Sequence, residues 1–444
     1  MTSFDLILKG GRVVTPAAEQ VTDVAIRDGR IAALGDLARA GKAAEVVDVS
    51  GLTVLPGVID SQVHLREPGN EHKEDLETGS RAAVKGGVVA VFEMPNTNPP
   101  TTTAEAIADK LVRARGRMFC DHAFFVGAAM RNVHRLAELE RLPGCAGVKV
   151  FMGSSTGNLL VDDDATVTHA LASGRRRVAV HCEHEPRLQE RWHLVKDGAE
   201  VHAHPEWRDV DTALEATRRL LSIVEGTGRR VHVLHVTTAE EMALLADHKA
   251  LASVEVTPQH LTLAAPECYD RLGSKAQMNP PIREARHREA LWQALDQGVV
   301  DVIGSDHAPH TLEEKARPYP QSPSGMPGVQ TLVPVMLSHV NAGRLSLRRF
   351  VDLTSAGPAR VYNVAGKGRL AVGYDADLTV VDMTTEREIT DNWIESRAGW
   401  TPFAGFKATA WPIHTVVRGR MVVRDETIMG DAQGRPVRFL DCYQ

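Results

Sequence analysis

Histidine, aspartate and lysine recur in this sequence where short apolar runs give way to polar residues. The runs end in Asp60-Ser-Gln-Val-His-Leu-Arg66, Met94-Pro-Asn96, Val148-Lys-Val150, Val180-His-Cys182, Leu234-His-Val236, Pro258-Gln-His260 and Gly304-Ser-Asp-His-Ala-Pro-His310. Side chains alternate along a strand, so Asp60, Gln62, His64 and Arg66 fall on one face. His64, His181, His235 and Asp306 stand at the ends of four different runs and are expected to converge on one axis. Nitrogen and oxygen donors without thiolate suit Zn²⁺, with Mn²⁺, Fe²⁺ or Co²⁺ as alternatives, and a site of this kind keeps one position open for water.

Lys149 is the unexpected member, a cation between Val148, Val150 and Phe151. Burying it costs several kcal/mol unless it is paired or neutralised. Two outcomes are open: an ion pair with Glu93 or Asp306, or a neutral amine that captures CO₂. The resulting carbamate is an anionic, two-oxygen ligand able to bridge two cations. His232 and His260 lie near this set but fit its spacing less well, and are read as structural.

A barrel places residues in this way. Apolar runs at 53–65, 88–96, 120–128, 146–152, 176–183, 229–237, 252–260 and 300–309 alternate with helical patterns such as 103–115, 211–225 and 283–297. Eight βα units over about 300 residues match a TIM (β/α)8-type barrel, whose active sites lie at the C-terminal ends of the strands. A doubly wound open sheet is the rival α/β arrangement. Residues 1–55 and 365–444 alternate like strands, with Asp28-Gly29 and Arg418-Gly419 as turns. The two ends are expected to pair into one small β-sandwich domain, leaving 56–364 as the barrel, with 310–328 as the longest irregular stretch.

Composition narrows the functional classes. Of 444 residues, 43% are hydrophobic and 24% charged, and Lys plus Arg (51) against Asp plus Glu (57) gives a net charge of −6. The basic residues are scattered, so no nucleic-acid partner is expected. No apolar run reaches the ~18–20 residues of a membrane span, and the N-terminus lacks the basic region of a secretion signal. A cytoplasmic protein acting on a small molecule, with no membrane partner, is the expectation. Five widely spaced cysteines with no Cys-x-x-Cys pair argue against both a disulfide framework and a zinc knuckle.

With these residues in view, the sequence resembles the dihydroorotases of the amidohydrolase superfamily nearly end to end. The motifs that carry the likeness are Pro56-Gly-Val-Ile-Asp-Ser-Gln-Val-His-Leu-Arg-Glu-Pro-Gly69, Met94-Pro-Asn-Thr-Asn98, Gly147-Val-Lys-Val-Phe151, Met278-Asn-Pro-Pro281 and Ser305-Asp-His-Ala-Pro-His310. Hydantoinases, allantoinases and dihydropyrimidinases share the metal scaffold, whereas His-x-Arg-Glu-Pro-Gly with Pro-Asn-Thr is characteristic of the dihydroorotase branch. The resemblance implies reversible hydrolysis of L-dihydroorotate to N-carbamoyl-L-aspartate, a step of pyrimidine (UMP) synthesis. It implies one or two Zn²⁺ per subunit, held by His64, the Lys149 carbamate, His181, His235 and Asp306. Asp306 would also move the proton. Arg66, Asn96 and His310 would bind the substrate carboxylate, and Asn279 with the main chain of Gly325–Gly328 would hold the ring, with 310–328 covering the site. A homodimer is usual among such relatives.

One residue departs from the pattern. The first strand of the family reads His-x-His, and here Gln62 takes the first place. A neutral amide oxygen is a poorer zinc ligand than imidazole, so the cation on the side of strand one and Asp306 is expected to bind more weakly than the one held by Lys149, His181 and His235. Two further readings stand beside an active dihydroorotase. One is a cyclic amidase for hydantoin, dihydropyrimidine or allantoin rings, which Arg66 and Asn96 fit poorly. The other is an inactive scaffold partner of aspartate carbamoyltransferase, which Gln62 allows but which has no need of Lys149, His181, His235 and Asp306 together.

Overall fold

The computed structural model describes residues 3–15, 17–37, 42–154, 159–196 and 198–443. The extreme positions of the expected β-domain, Met1 and Gln444, lie outside the described residues. Eight strands follow one another in chain order around a sheet: Val58–Val63, Val88–Glu93, Asp121–Gly127, Cys145–Phe151, Val178–His181, Val231–Val233, Ala252–Val256 and Val302–Ile303. Every pairing along this path is parallel. A parallel bridge from Val63 to His307, with the His64 amide donating to the His307 carbonyl at 2.7 Å, joins the eighth segment to the first. That closure makes the sheet a barrel rather than an open doubly wound layer.

Each residue of the first four strands is buried, as required of strands covered on both faces. The helices between them begin and end on recognisable signals. Ala104–Ala114 starts from Thr103, whose hydroxyl accepts from the Ala106 amide. Val210–Thr227 starts from Asp209 and stops at Gly228, which takes a left-handed φ of 67°. Among the described residues no helix is long and apolar enough to cross a membrane.

The two chain ends share one nine-stranded sheet, in which Thr53–Pro56 pairs with Ser3–Val14 on one side and Leu378–Asp382 on the other. The expected small β-domain is built as one continuous hydrogen-bonded sheet from both ends. The inward side chains of both ends, among them Leu8, Val24, Ile26, Val54, Leu378 and Val416, still meet in one apolar cluster as a sandwich core would.

Two of the expected runs are divided. The stretch 53–65 breaks at Gly57: residues before it belong to the end sheet and residues after it to the barrel. A Cβ at Gly57 would lie 2.4 Å from Val89 Cγ2, so only glycine lets the chain cross here. The stretch 252–260 is a strand only to Val256. Thr257 then caps a helix that begins with Pro258, and His260 lies inside that helix.

Candidate active site

The C-terminal ends of the barrel strands open into one pocket. Nine of the ten residues singled out from the sequence line it: Gln62, His64, Arg66, Asn96, Lys149, His181, His235, Asn279 and Asp306. The tenth, His310, stands behind Arg66, with its Nε2 3.2 Å from Arg66 Nη2. Arg66, His235 and Asp306 all take positive φ, at 64°, 38° and 46°. Non-glycine residues resist that region, and such strain persists where the surroundings over-determine it, here at the points where three strands turn their side chains into the pocket.

The donors fall into two groups. On one side, His181 Nδ1 and His235 Nε2 face each other at 3.0 Å. Two imidazole nitrogens on one tetrahedral zinc, each at ~2.0–2.1 Å, would be separated by about 3.3 Å, so the pair already has nearly the spacing of two ligands. Burial holds both rings below the usual imidazole pKa, His235 well below it with the His181 and Lys149 charges adding to the effect. Neutral imidazole is the form that ligates. His181 turns its other nitrogen to Glu183 Oε2 at 2.9 Å, and Arg208 in turn holds that carboxylate. Against the opposing pull of burial, Arg208 and His181 bring the Glu183 pKa down to about 2.

Lys149 completes this side. Its Nζ is buried with no hydrogen-bond partner, 4.5 Å from the centre of the Phe151 ring. The ion pair with Glu93 or Asp306 does not form, and Glu93 is occupied by Lys110 at 2.9 Å. Burial, only partly opposed by Asp306 and Glu255, pulls the amine down to about 7. At that value the amine is partly unprotonated near neutral pH, and the unprotonated form is a nucleophile for CO₂. Among the described residues no three His, Cys, Asp or Glu side chains form a ready-made ion cage. Lys149 stands beside His181 and His235, and its amine would offer an oxygen ligand only once it carried a carboxylate.

On the other side, His64 Nε2 and Gln62 Nε2 both point at Asp306 Oδ1, at 3.2 and 3.1 Å. His64 Nδ1 lies 2.7 Å from Asn96 Oδ1, which accepts its proton. The neutral ring then presents a lone pair to a carboxylate oxygen, an arrangement that a cation or a proton between them satisfies. Gln62 behaves differently. Its amide N–H donates to Asp306 while its Oε1 is buried without a partner, so the residue acts here as a donor.

The far end of the pocket is cationic. Arg66 is 4% exposed and uses Nε on the Pro309 carbonyl at 3.1 Å, yet no carboxylate pairs with it among the described residues. Lys73 Nζ lies 3.2 Å from His310 Nδ1. Ser324 and Gly325 line the pocket from the irregular segment 310–328. A Cβ at Gly325, where φ is +135°, would sit 2.5 Å from the Ala308 carbonyl. Asn279 accepts from His204 Nε2 at 3.1 Å.

His232 and His260 are satisfied core residues, bonded to Ser253 and to the Pro280 carbonyl. Glu183 was missed from the sequence, although its position two residues after His181 on a strand end puts it in reach of the same side chain. The role of Asn96 in fixing the His64 tautomer has no sequence signal.

The Amidohydrolase family model matches residues 53–422. A dihydroorotase from Methanosarcina mazei is 36% identical over 438 residues, covering 96% of this chain and 95% of that protein. An allantoinase from Escherichia coli is 33% identical over 452 residues, covering 98% and 97%. Among solved structures, the L-hydantoinase (dihydropyrimidinase) from Arthrobacter aurescens superposes with a TM-score of 0.93 at 29% identity, over 98% of this chain and 99% of that one.

Proposed function

We propose, from the premise that this chain belongs to the amidohydrolase family and is a metal-dependent cyclic amidohydrolase, that its reaction is the reversible hydrolysis of L-dihydroorotate to N-carbamoyl-L-aspartate. The observation that carries this choice is the buried Arg66 guanidinium with no carboxylate partner beside His310. Burial draws its pKa down to about 10, and an incoming carboxylate relieves that cost through paired, charge-assisted hydrogen bonds. Dihydroorotate carries such a carboxylate on its ring. Hydantoin, dihydropyrimidine and allantoin do not, and would leave the cation uncompensated.

The amine of Lys149 adds to CO₂ and releases a proton, giving a carbamate that with His181 and His235 forms a three-donor set suited to Zn²⁺. When bound, a divalent cation lowers the pKa of water from ~15.7 towards 7 and polarises the carbonyl it faces. Asp306 takes the proton of the attacking water as the carbon–oxygen bond forms. It returns a proton to the ring nitrogen as the carbon–nitrogen bond breaks, which leaves the open-chain ureido acid. Asn96 fixes His64 beside Asp306, and Glu183 fixes His181. Arg66 and His310 anchor the carboxylate so that the ring amide lies over the donors, with Asn279 and Gly325 closing around it.

Ultraviolet loss of dihydroorotate tests this directly. Purified protein supplied with zinc and bicarbonate is expected to consume it and to leave hydantoin and allantoin untouched. Turnover of either neutral ring in preference to dihydroorotate defeats the assignment, and no turnover of any of them favours the scaffold reading.

A further inference from the structure

Lys315 is a buried ammonium that none of the steps above uses. It ends the short helix Leu312–Lys315 after His310 and is 1% exposed. Its Nζ donates to the carbonyls of Gln277, Pro323 and Gly325 at 3.2, 2.8 and 3.0 Å. No carboxylate forms an ion pair with it among the described residues. Its neighbour Glu314 turns instead to Lys73 at 3.1 Å and His310 at 3.4 Å. Three carbonyl dipoles satisfy the protons of the side chain, and Glu314 acts on its charge only from beyond ion-pair distance.

Those carbonyls stand at or just behind two walls of the pocket: Gln277 lies two residues before Asn279, and Pro323 precedes Ser324 and Gly325, and Asn279, Ser324 and Gly325 line it. The Gly325 amide donates to the Gln277 carbonyl at 2.9 Å, and Gln277 Nε2 reaches the Ser324 hydroxyl at 3.1 Å, so Lys315 sits at the centre of the tie. The second wall also touches the anion-binding end, because His310 Nε2 lies 3.1 Å from the Ser324 carbonyl. Burial, reinforced by the charge of Arg66 and opposed by that of Glu314, pulls the Lys315 ammonium down to about 7. Arg66 makes a positive charge on Lys315 more costly, and an anion entering nearby lowers that cost.

We propose that Lys315 is a positioning residue for the substrate carboxylate: it ties Gln277 to the 323–325 segment and adds a positive charge with no ion-paired carboxylate, which works with Arg66 to draw in an anion. The proposal rests on the dihydroorotase reading. It is tested by measuring kcat/KM for dihydroorotate and for its neutral carboxamide in wild type, Lys315→Met and Lys315→Gln. Methionine removes both donors and charge, whereas glutamine keeps donors for the carbonyls and removes the charge. In both variants the preference for the anion over the amide is expected to fall roughly tenfold, mainly through KM for the anion, with bound metal unchanged. Should Lys315→Met not fold, the same ratio in Lys315→Gln decides. Equal losses for both substrates, or an unchanged ratio, mark a merely structural lysine and overturn the proposal alone. A wild-type chain that does not turn over dihydroorotate overturns the reading and this inference with it.

Discussion

Asp306 Oδ1 accepts from the Gln62 amide and faces the lone pair of His64 Nε2, and a carboxylate in that place can exchange a proton with a water held beside it. Asp306→Asn keeps the shape and loses the basicity, so kcat is expected to fall by about 10²–10⁴. Steady-state rates combined with metal analysis check this, because the donor set of Lys149, His181 and His235 should still be loaded. Gln62 leads to a second expectation. Its amide donates to Asp306 and its oxygen faces no donor, so the strand-one side offers one imidazole fewer than a His-x-His pair. Protein dialysed after loading with zinc and bicarbonate is expected to retain about one cation per chain, and Gln62→His should raise that towards two. Two tightly held equivalents in the unaltered chain would show that the amide is an adequate ligand.

The strand ends set which donors meet. Glu183 orients His181 from the same strand end, and Arg208 holds Glu183 in place. Loss of such an outer partner typically weakens a metal by 10–100-fold, so Glu183→Gln should lower zinc affinity by that order in a competition titration with a chelating dye. An unchanged affinity would reduce Glu183 to a packing residue. The barrel elements were legible in the sequence because their apolar runs have the length and flanks of buried strands, and the three helical patterns at 103–115, 211–225 and 283–297 lie within two residues of observed helices. The breaks at Gly57 and Pro258 were not read. Periodicity registers apolar character on both sides of a break, whereas the break depends on a contact with Val89 in one case and on a cap by Thr257 in the other. Residue types at the ends of the apolar runs picked out eight of the side chains that line the pocket, whereas Asn279 came only from the family resemblance. Contacts made across the chain, such as Asn96 on His64 or Lys315 on Gln277, leave no local pattern to read.

A buried ionic cluster joins the end sheet to the barrel. Lys367 is buried against Asp377 at 2.5 Å, Asp121 at 2.7 Å and Asp375 at 3.4 Å, and Asp121, at the start of the third barrel strand, also receives Arg418. Removing the lysine leaves buried carboxylates uncompensated, so Lys367→Met is expected to cost about 3–5 kcal/mol in denaturant unfolding. The cluster also gives stability a pH dependence. Against burial, Lys367 and Arg418 hold Asp121 below its usual 3.8, so its contribution is present above that pH and is lost as the pH falls further. Despite burial, Asp377 and Asp121 hold the Lys367 ammonium above its usual 10.5, so its contribution is full below that pH and is lost as the pH rises through the folded value. Unfolding midpoints measured across pH should drop at the alkaline extreme in the unaltered protein and lose that drop in Lys367→Met.

A crystal grown with zinc and bicarbonate, and measured at the zinc absorption edge, reads the centre of the molecule directly. The expected result is carboxylate density continuous with Lys149 Nζ, and an anomalous peak ~2.0–2.1 Å from both His181 Nδ1 and His235 Nε2. A bare lysine beside a centre without a peak would contradict the proposed chemistry at its source.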